Sequence, residues 1–137
     1  MTEGGGMTKK VSSGAPWEAV VGYSRAVAAG DFVFVSGCTS IAGGEVVHEG
    51  DAEAQASQCI ANVAAALAQL GAGLSDVVRT RMFVTDISRW REYGAGHSKA
   101  FGATMPATSM IAVAGLVDPR MLIEVEAVAY KPGAGQP

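Results

Sequence analysis

The 137-residue chain predicts an α+β domain, a mixed sheet with two helices packed on one face. Three observations lead there. Apolar residues alternate in "FVFV" and in "IEVEAVA", the period of half-buried strands. They recur every three or four residues in two longer segments, the period of amphipathic helices. Gly, Asp and Pro separate these runs in the order ββ(β)αβαββ, so that strands bracket both helices.

The first fourteen residues, "MTEGGGMTKKVSSG", hold two lysines with no apolar stretch behind them, unlike a secretory signal. Residues 1–15 are expected to be a flexible tail, with Met1 and Met7 as alternative starts, and residues 132–137 a second one. A single domain is expected over 16–131. Within it, "YSRAVAAGDFVFVSG" reads as a hairpin with its turn at Ala-Gly-Asp. Gly43-Gly44 marks another turn, and Val46-Val47 a short strand.

Asp51 is placed to cap a helix, with Glu53 adding negative charge to its first turn. Ala56, Ile60, Val63, Leu67 and Leu70 form its apolar stripe, and Gly71 is suited to end it. In the strand "DVVRTRMFVTD", alternation puts Arg79, Arg81 and Phe83 on one face and Val78, Thr80, Met82 and Val84 on the other. Ser88 can cap a second helix carrying Trp90, Tyr93, His97 and Phe101 at helical spacing. From Pro106 to Tyr130, two apolar strands joined by a turn read as a closing hairpin.

The last strand raises the functional question. Ile123, Val125, Ala127 and Ala129 form an apolar face suited to the helices. Leu122, Glu124, Glu126 and Val128 form a mixed face, too polar for a core and too apolar for water. Hydrophobic residues make up 49% of the chain and charged ones 17%, which leaves little polar material to coat an isolated globule. Packing of several copies through the mixed faces, with polar clefts at the seams, resolves both problems.

Composition narrows the partners. The net charge is −3 with no basic run, which argues against nucleic acid. No apolar run reaches the eighteen or so residues of a membrane span. Cys38 and Cys59 lack metal-ligand spacing and read as free thiols in a reducing cytoplasm. The histidines show no H-E-x-x-H pattern, so neither a metal nor another cofactor is expected.

The ordered motifs "GYSRAV", "GDFVFVSG", "DAEAQASQCIANV", "DVVRTRMFVTDI", "PATS" and "LIEVEAVA" together resemble the Rid/YjgF family, reactive intermediate deaminases formerly labelled L-PSP endoribonucleases. The similarity runs from about Gly22 to Ala129. It implies a chorismate-mutase-like α+β fold and a homotrimer with a small-molecule cleft at each subunit interface. By the same resemblance, Glu124 matches the glutamate that holds the attacking water. Tyr23, Ser36 and Gly37 match cleft-lining positions.

Thr108 stands where deaminating members carry the arginine that forks onto a substrate carboxylate, and a hydroxyl cannot replace that planar cation. Met110 replaces a frequent cysteine, Cys38 a glutamine and Gly94 an asparagine. The pattern resembles a branch of the family that lacks this arginine.

Each candidate also has a structural reading. Glu124 either positions water or makes an interface hydrogen bond, and Glu126 either joins the site or answers an arginine of "VRTR". Arg81 either restores anion recognition in the cleft or pairs with one of those acids; Arg25, Arg79 and Arg120 are further cations to consider. Cys38 reads as a packed thiol and His97 as a packed histidine bonding a neighbour. The expected functions are a hydrolase of imines, enamines or related carbonyl compounds, or a non-catalytic metabolite-binding module. Ribonuclease activity lacks a paired-histidine or basic signature, and a phosphate backbone would meet acids in the cleft.

Overall fold

The computed structural model describes residues 8–137. Strands β1 (Thr8–Val11), β2 (Ala26–Ala29), β3 (Phe32–Cys38), β6 (Val77–Val84), β7 (Ala107–Ala112) and β8 (Ile123–Tyr130) form one mixed sheet in the order β1-β2-β3-β8-β6-β7. β4 (Ile41–Ala42) and β5 (Glu45–Val46) make a small separate ribbon. Helix α1 (Pro16–Val21) is short; α2 (Ala52–Ala68) and α3 (Trp90–Phe101) are the two main helices. The mixed α+β architecture agrees with the sequence expectation. No helix among the described residues is long and apolar enough to cross a membrane.

The hairpin around Gly30 forms as read, with Ala26 opposite Val35 and Ala29 opposite Phe32. Asp51 caps α2 by accepting the Ala54 N–H at 3.0 Å. The expected stripe of α2 is buried, and it meets Val33, Val35, Ile123 and Val125 of the sheet in one core. Gln55 is the buried polar member of α2. Its Nε2 donates to the Arg120 carbonyl at 2.9 Å and its Oε1 accepts from the Leu122 N–H at 2.9 Å, which fixes the chain entering β8.

Three expectations within the domain need correction. Pro106–Tyr130 is not a hairpin: β6 lies between β7 and β8, parallel to the first and antiparallel to the second. The connection 113–122 is long enough to cross a strand, and pairing preference alone does not name the neighbour. Val78 does not share the core face with Thr80. Between the pairs Val77–Ala129 and Arg79–Val128, β6 gains one residue, so Val77 turns inward and Val78 outward. Ser88 does not cap the second helix: the Asp86 carboxylate caps the turn leading to it by accepting the Ser88 N–H at 3.1 Å, and α3 begins at Trp90, which is half exposed.

The expected tails also differ. Residues 8–11 pair with β2 from Thr8 opposite Ala29 to Val11 opposite Ala26, and α1 follows with Pro16 in its first turn. At the other end the Gly133 N–H binds Asp31 Oδ1 at 2.9 Å, the Gly135 N–H binds the Gly30 carbonyl at 2.8 Å, and Ala134 is buried. Residues 1–7 lie outside the described residues.

The two main helices approach closely at Gly96. A Cβ there would lie 2.8 Å from Ala56 Cβ and 2.8 Å from the Glu53 carbonyl oxygen, and backbone cannot step aside. Gly96→Ala is expected to lower the unfolding free energy by about 1–3 kcal/mol in urea titration despite the better helix propensity of alanine. Gly94 in the same helix has nothing within 4 Å of its would-be Cβ. Gly94→Ala should therefore gain up to about 1 kcal/mol, and equal effects of the two changes would refute the packing argument.

Candidate functional site

The site-forming end of the sheet begins with an irregularity in β3. Val35 pairs with Ala127 but Cys38 with Val125, so three steps on β3 match two on β8. The extra residue is a β-bulge at Ser36-Gly37. It brings Cys38 into the core in the place that regular alternation would give Gly37. It also sets the bare Cα of Gly37 under the side chain of Glu124, where any Cβ would overlap the Glu124 carboxylate. Any larger residue at this position would displace the Glu124 carboxylate from where it lies.

Arg25 organises the wall around this bulge. It is buried, and its Nη1 donates to the Gly37 carbonyl at 2.7 Å and more weakly to the Ser36 carbonyl at 3.3 Å. Its Nη2 donates to the Tyr23 hydroxyl at 3.2 Å, and the guanidinium carbon sits 5.4 Å from the Tyr23 ring centre. Ser36 Oγ closes the network by donating to the Ser24 carbonyl at 2.7 Å. Behind Arg25, the Glu18 carboxylate lies 3.8 Å from its Nε and accepts from the Ser12 hydroxyl, the Ser13 hydroxyl and the Ser13 N–H. Burial alone would raise the Glu18 pKa, but the serine hydrogen bonds and the Arg25 charge outweigh it and hold the group below its ordinary value.

Glu124 has the opposite balance. Burial first, and the nearby Glu126 charge second, raise its pKa, with Arg25 offsetting part of the rise. A half-buried carboxylate with a raised pKa binds a proton more readily than an ordinary surface carboxylate. Glu126 is engaged elsewhere: Arg81 Nη1 donates to its Oε1 at 3.1 Å across β6 and β8. That is the structural alternative for both residues, and it leaves Arg81 on the same sheet face as Glu124. Arg120 pairs with Asp118 in the loop before β8.

Burial pushes the Cys38 thiol up, although Arg25 Nη1 lies 3.5 Å from its Sγ and works against the rise. A cation is therefore adjacent, yet the thiol remains protonated and packed, as the sequence reading of Cys38 has it. Cys59 is buried too, and its pKa is raised further by burial.

Thr108 and Met110 fall on the other face of the sheet. They pair in parallel register with Thr80 and Met82, which face the helices. Thr80 Oγ1 donates to Thr108 Oγ1 at 2.6 Å, and His97 Nε2 lies 2.8 Å from Thr80 Oγ1. Burial lowers the His97 pKa, so the imidazole is neutral at pH 7. His97 is thus a packed histidine bonding a neighbour, as its apolar stripe suggested. Within one chain the expected site residues form two groups: Tyr23, Ser36, Gly37, Cys38 and Glu124 about the bulge, with Arg81 and Glu126 farther along that face, and Thr108 with Met110 behind the opposite edge.

Sequence reasoning missed the organising roles of Arg25 and Glu18. The only local signal was an arginine two residues after a tyrosine in "YSR". Among the described residues, no group of three or more His, Cys, Asp or Glu is placed to hold a metal ion.

Comparison with known proteins adds an independent line. Residues 13–131 match the family model described as endoribonuclease L-PSP. A RutC family protein of Pyrococcus abyssi is 37% identical over 111 residues, 80% of this chain and 86% of its own length. The 3-aminoacrylate deaminase RutC of Acinetobacter baylyi is 34% identical over 112 residues, 79% of this chain and 86% of that protein. Among solved structures, Rv2704 of Mycobacterium tuberculosis, a member of the YjgF/YER057c/UK114 family, superposes with a TM-score of 0.82 at 48% identity, covering 90% of this chain and 98% of that one.

Proposed function

We propose that this chain, which belongs to the endoribonuclease L-PSP (Rid/YjgF) family, forms a homotrimer whose interface clefts hydrolyse small imines, enamines or related carbonyl compounds. Glu124 positions the attacking water and takes its proton, while Tyr23, Ser36 and the bulge at Gly37 line the cleft. The observation that carries the reading is Glu124 itself, half-buried with its carboxylate lying against the bare Cα of Gly37, with a raised pKa and no side-chain hydrogen-bond partner among the described residues. A carboxylate so placed has free lone pairs for a water and a proton affinity suited to general-base work.

Assembly supplies what one chain lacks. The open sheet face carries exposed Phe32, Phe34, Ile111 and Tyr130, with the Phe32 ring 5.3 Å from that of Tyr130. Such a face is suited to packing against other copies. In a trimer, Thr108 and Met110 of one copy complete the cleft built around Glu124 of the next. The relative named for 3-aminoacrylate deamination supports an enamine or imine substrate. With Thr108 in place of a guanidinium, substrates without a carboxylate are preferred.

Freshly generated 2-iminobutyrate and a panel of uncharged enamines, assayed for ammonia release beside mass measurement in solution, test the reading. A trimer that turns over uncharged enamines faster than 2-iminobutyrate is expected. A monomer, or no rate above buffer on any member, would remove it. The second reading is a metabolite-binding module without turnover. It is favoured by the Thr108 hydroxyl, which Thr80 already engages, and it predicts ligand-induced thermal shifts that need Glu124 but release no ammonia.

A further inference from the structure

The open face of the sheet holds a concavity that begins at Ser36 of the bulge and runs along β6 and β8, without the Glu124 carboxylate. It encloses about 270 Å³ and is lined by Phe34, Ser36, Arg79, Arg81, Glu126 and Val128, among others. Its charges do not balance. Arg81 is paired with Glu126 at 3.1 Å, but no carboxylate among the described residues pairs with Arg79. Two guanidinium groups against one carboxylate leave one positive charge in the cavity.

Arg79 is also held in place without being satisfied. Its Nη2 donates to Ser109 Oγ on the neighbouring strand at 3.2 Å, while its Nε is buried with no hydrogen-bond partner among the described residues. A buried guanidinium N–H without an acceptor is costly, and the acceptor it calls for is an anionic oxygen. The volume lies just below the usual range for drug-sized ligands, which excludes a nucleotide and suits a small oxyanion.

We infer that this cavity is a binding site for a small oxyanion, of the carboxylate or phosphate class, held by Arg79 with Arg81 as the second cation. The site is built from β2, β3, β6 and β8 and does not use the Glu124 carboxylate, but it shares Ser36 with the proposed cleft and Phe34 with the face that the proposed trimer packs, so it rests on that assembly while its anion binding is read separately from turnover. Glu126 is its counterweight: it neutralises Arg81 and so sets how strongly the cavity attracts an anion. The paired charges of "VRTR" and "EVE" thereby acquire a shared role, one arginine neutralised and one left for the ligand.

Titration calorimetry of the intact protein with inorganic phosphate, and separately with acetate, at constant ionic strength tests this. Saturable binding of at least one probe is expected, weakened about tenfold or more in Arg79→Met through loss of a charge-assisted hydrogen bond. Arg79→Lys should fall between the two, because it keeps the charge without the fork. Glu126→Gln should tighten binding about threefold or more by releasing Arg81, a change that general loss of structure cannot mimic. Three results would overturn the assignment: no saturable binding of either probe, unchanged affinity in Arg79→Met, or a crystal structure in which a carboxylate of another subunit occupies Arg79.

Discussion

Arg25→Met should be among the most destabilising single changes in this protein. The substitution keeps the volume and the apolar stem but removes the donors to the Gly37 carbonyl, the Ser36 carbonyl and the Tyr23 hydroxyl. A buried acceptor that loses a charged donor costs about 1.5–3 kcal/mol, and the Glu18 carboxylate loses its neighbouring cation as well. A loss of about 2–4 kcal/mol follows, a fall in Tm of roughly 6–15 °C for a domain of this size. Arg25→Lys should recover part of it, since charge returns without the planar fork.

The acid limb provides a second readout. The folded-state pKa of Glu18 lies below its ordinary value of 4.5, so the stability it confers is present above that value and lost as pH falls through the folded pKa. Without the Arg25 charge the folded pKa rises toward 4.5, and acid unfolding should begin at higher pH. A variant that matches the parent in both chemical and acid denaturation would show that Arg25 organises nothing.

Glu124→Gln is expected to separate activity from stability. The amide keeps the shape over Gly37 but cannot take a proton, so hydrolysis of the best substrate should fall by about 10²–10⁴-fold. Stability should move the other way. Glu124 is raised in the fold above its ordinary value of 4.5, so its ionisation opposes folding. The parent therefore loses stability as pH rises from 4.5 through the folded value. The variant is spared that loss, and its Tm should exceed the parent's at pH 7, with the difference closing below the ordinary carboxylate range. Equal activity in the two proteins would dismiss Glu124 as the base; a Tm difference independent of pH would dismiss burial as the cause of its raised pKa.

Much of this was legible in the chain. The periods of two and of three to four residues marked β3, β6, β8, α2 and α3, Asp51 marked a helix start, and "IEVEAVA" told its inward face from its outward one. The pairing of Arg81 with Glu126 was one of two alternatives that alternation allowed, and the register of β6 against β8 selected it. The expected neighbours of Glu124 were less legible. Thr108 and Met110 were grouped with it by resemblance alone, whereas in the folded chain the sheet lies between them. Parallel pairing with β6 turns both toward the helices, on the face opposite Glu124.

What the sequence determined by itself is local: each residue's face follows from a period that every strand or helix imposes on its own residues. What the tertiary structure decided is relational. Strand order put β6 between β7 and β8, one extra residue at Ser36-Gly37 re-aimed Cys38 and cleared a space for Glu124, and a single extra residue in β6 exchanged Val77 for Val78. The same relations made Arg25 the donor to carbonyls eleven and twelve residues away and left Arg79 with a buried N–H facing no acceptor among the described residues. The physical reason is range. Alternation is fixed by bonds along the chain, while neighbours, bulges and charge balance are fixed by contacts between segments whose separation in sequence carries no period to read.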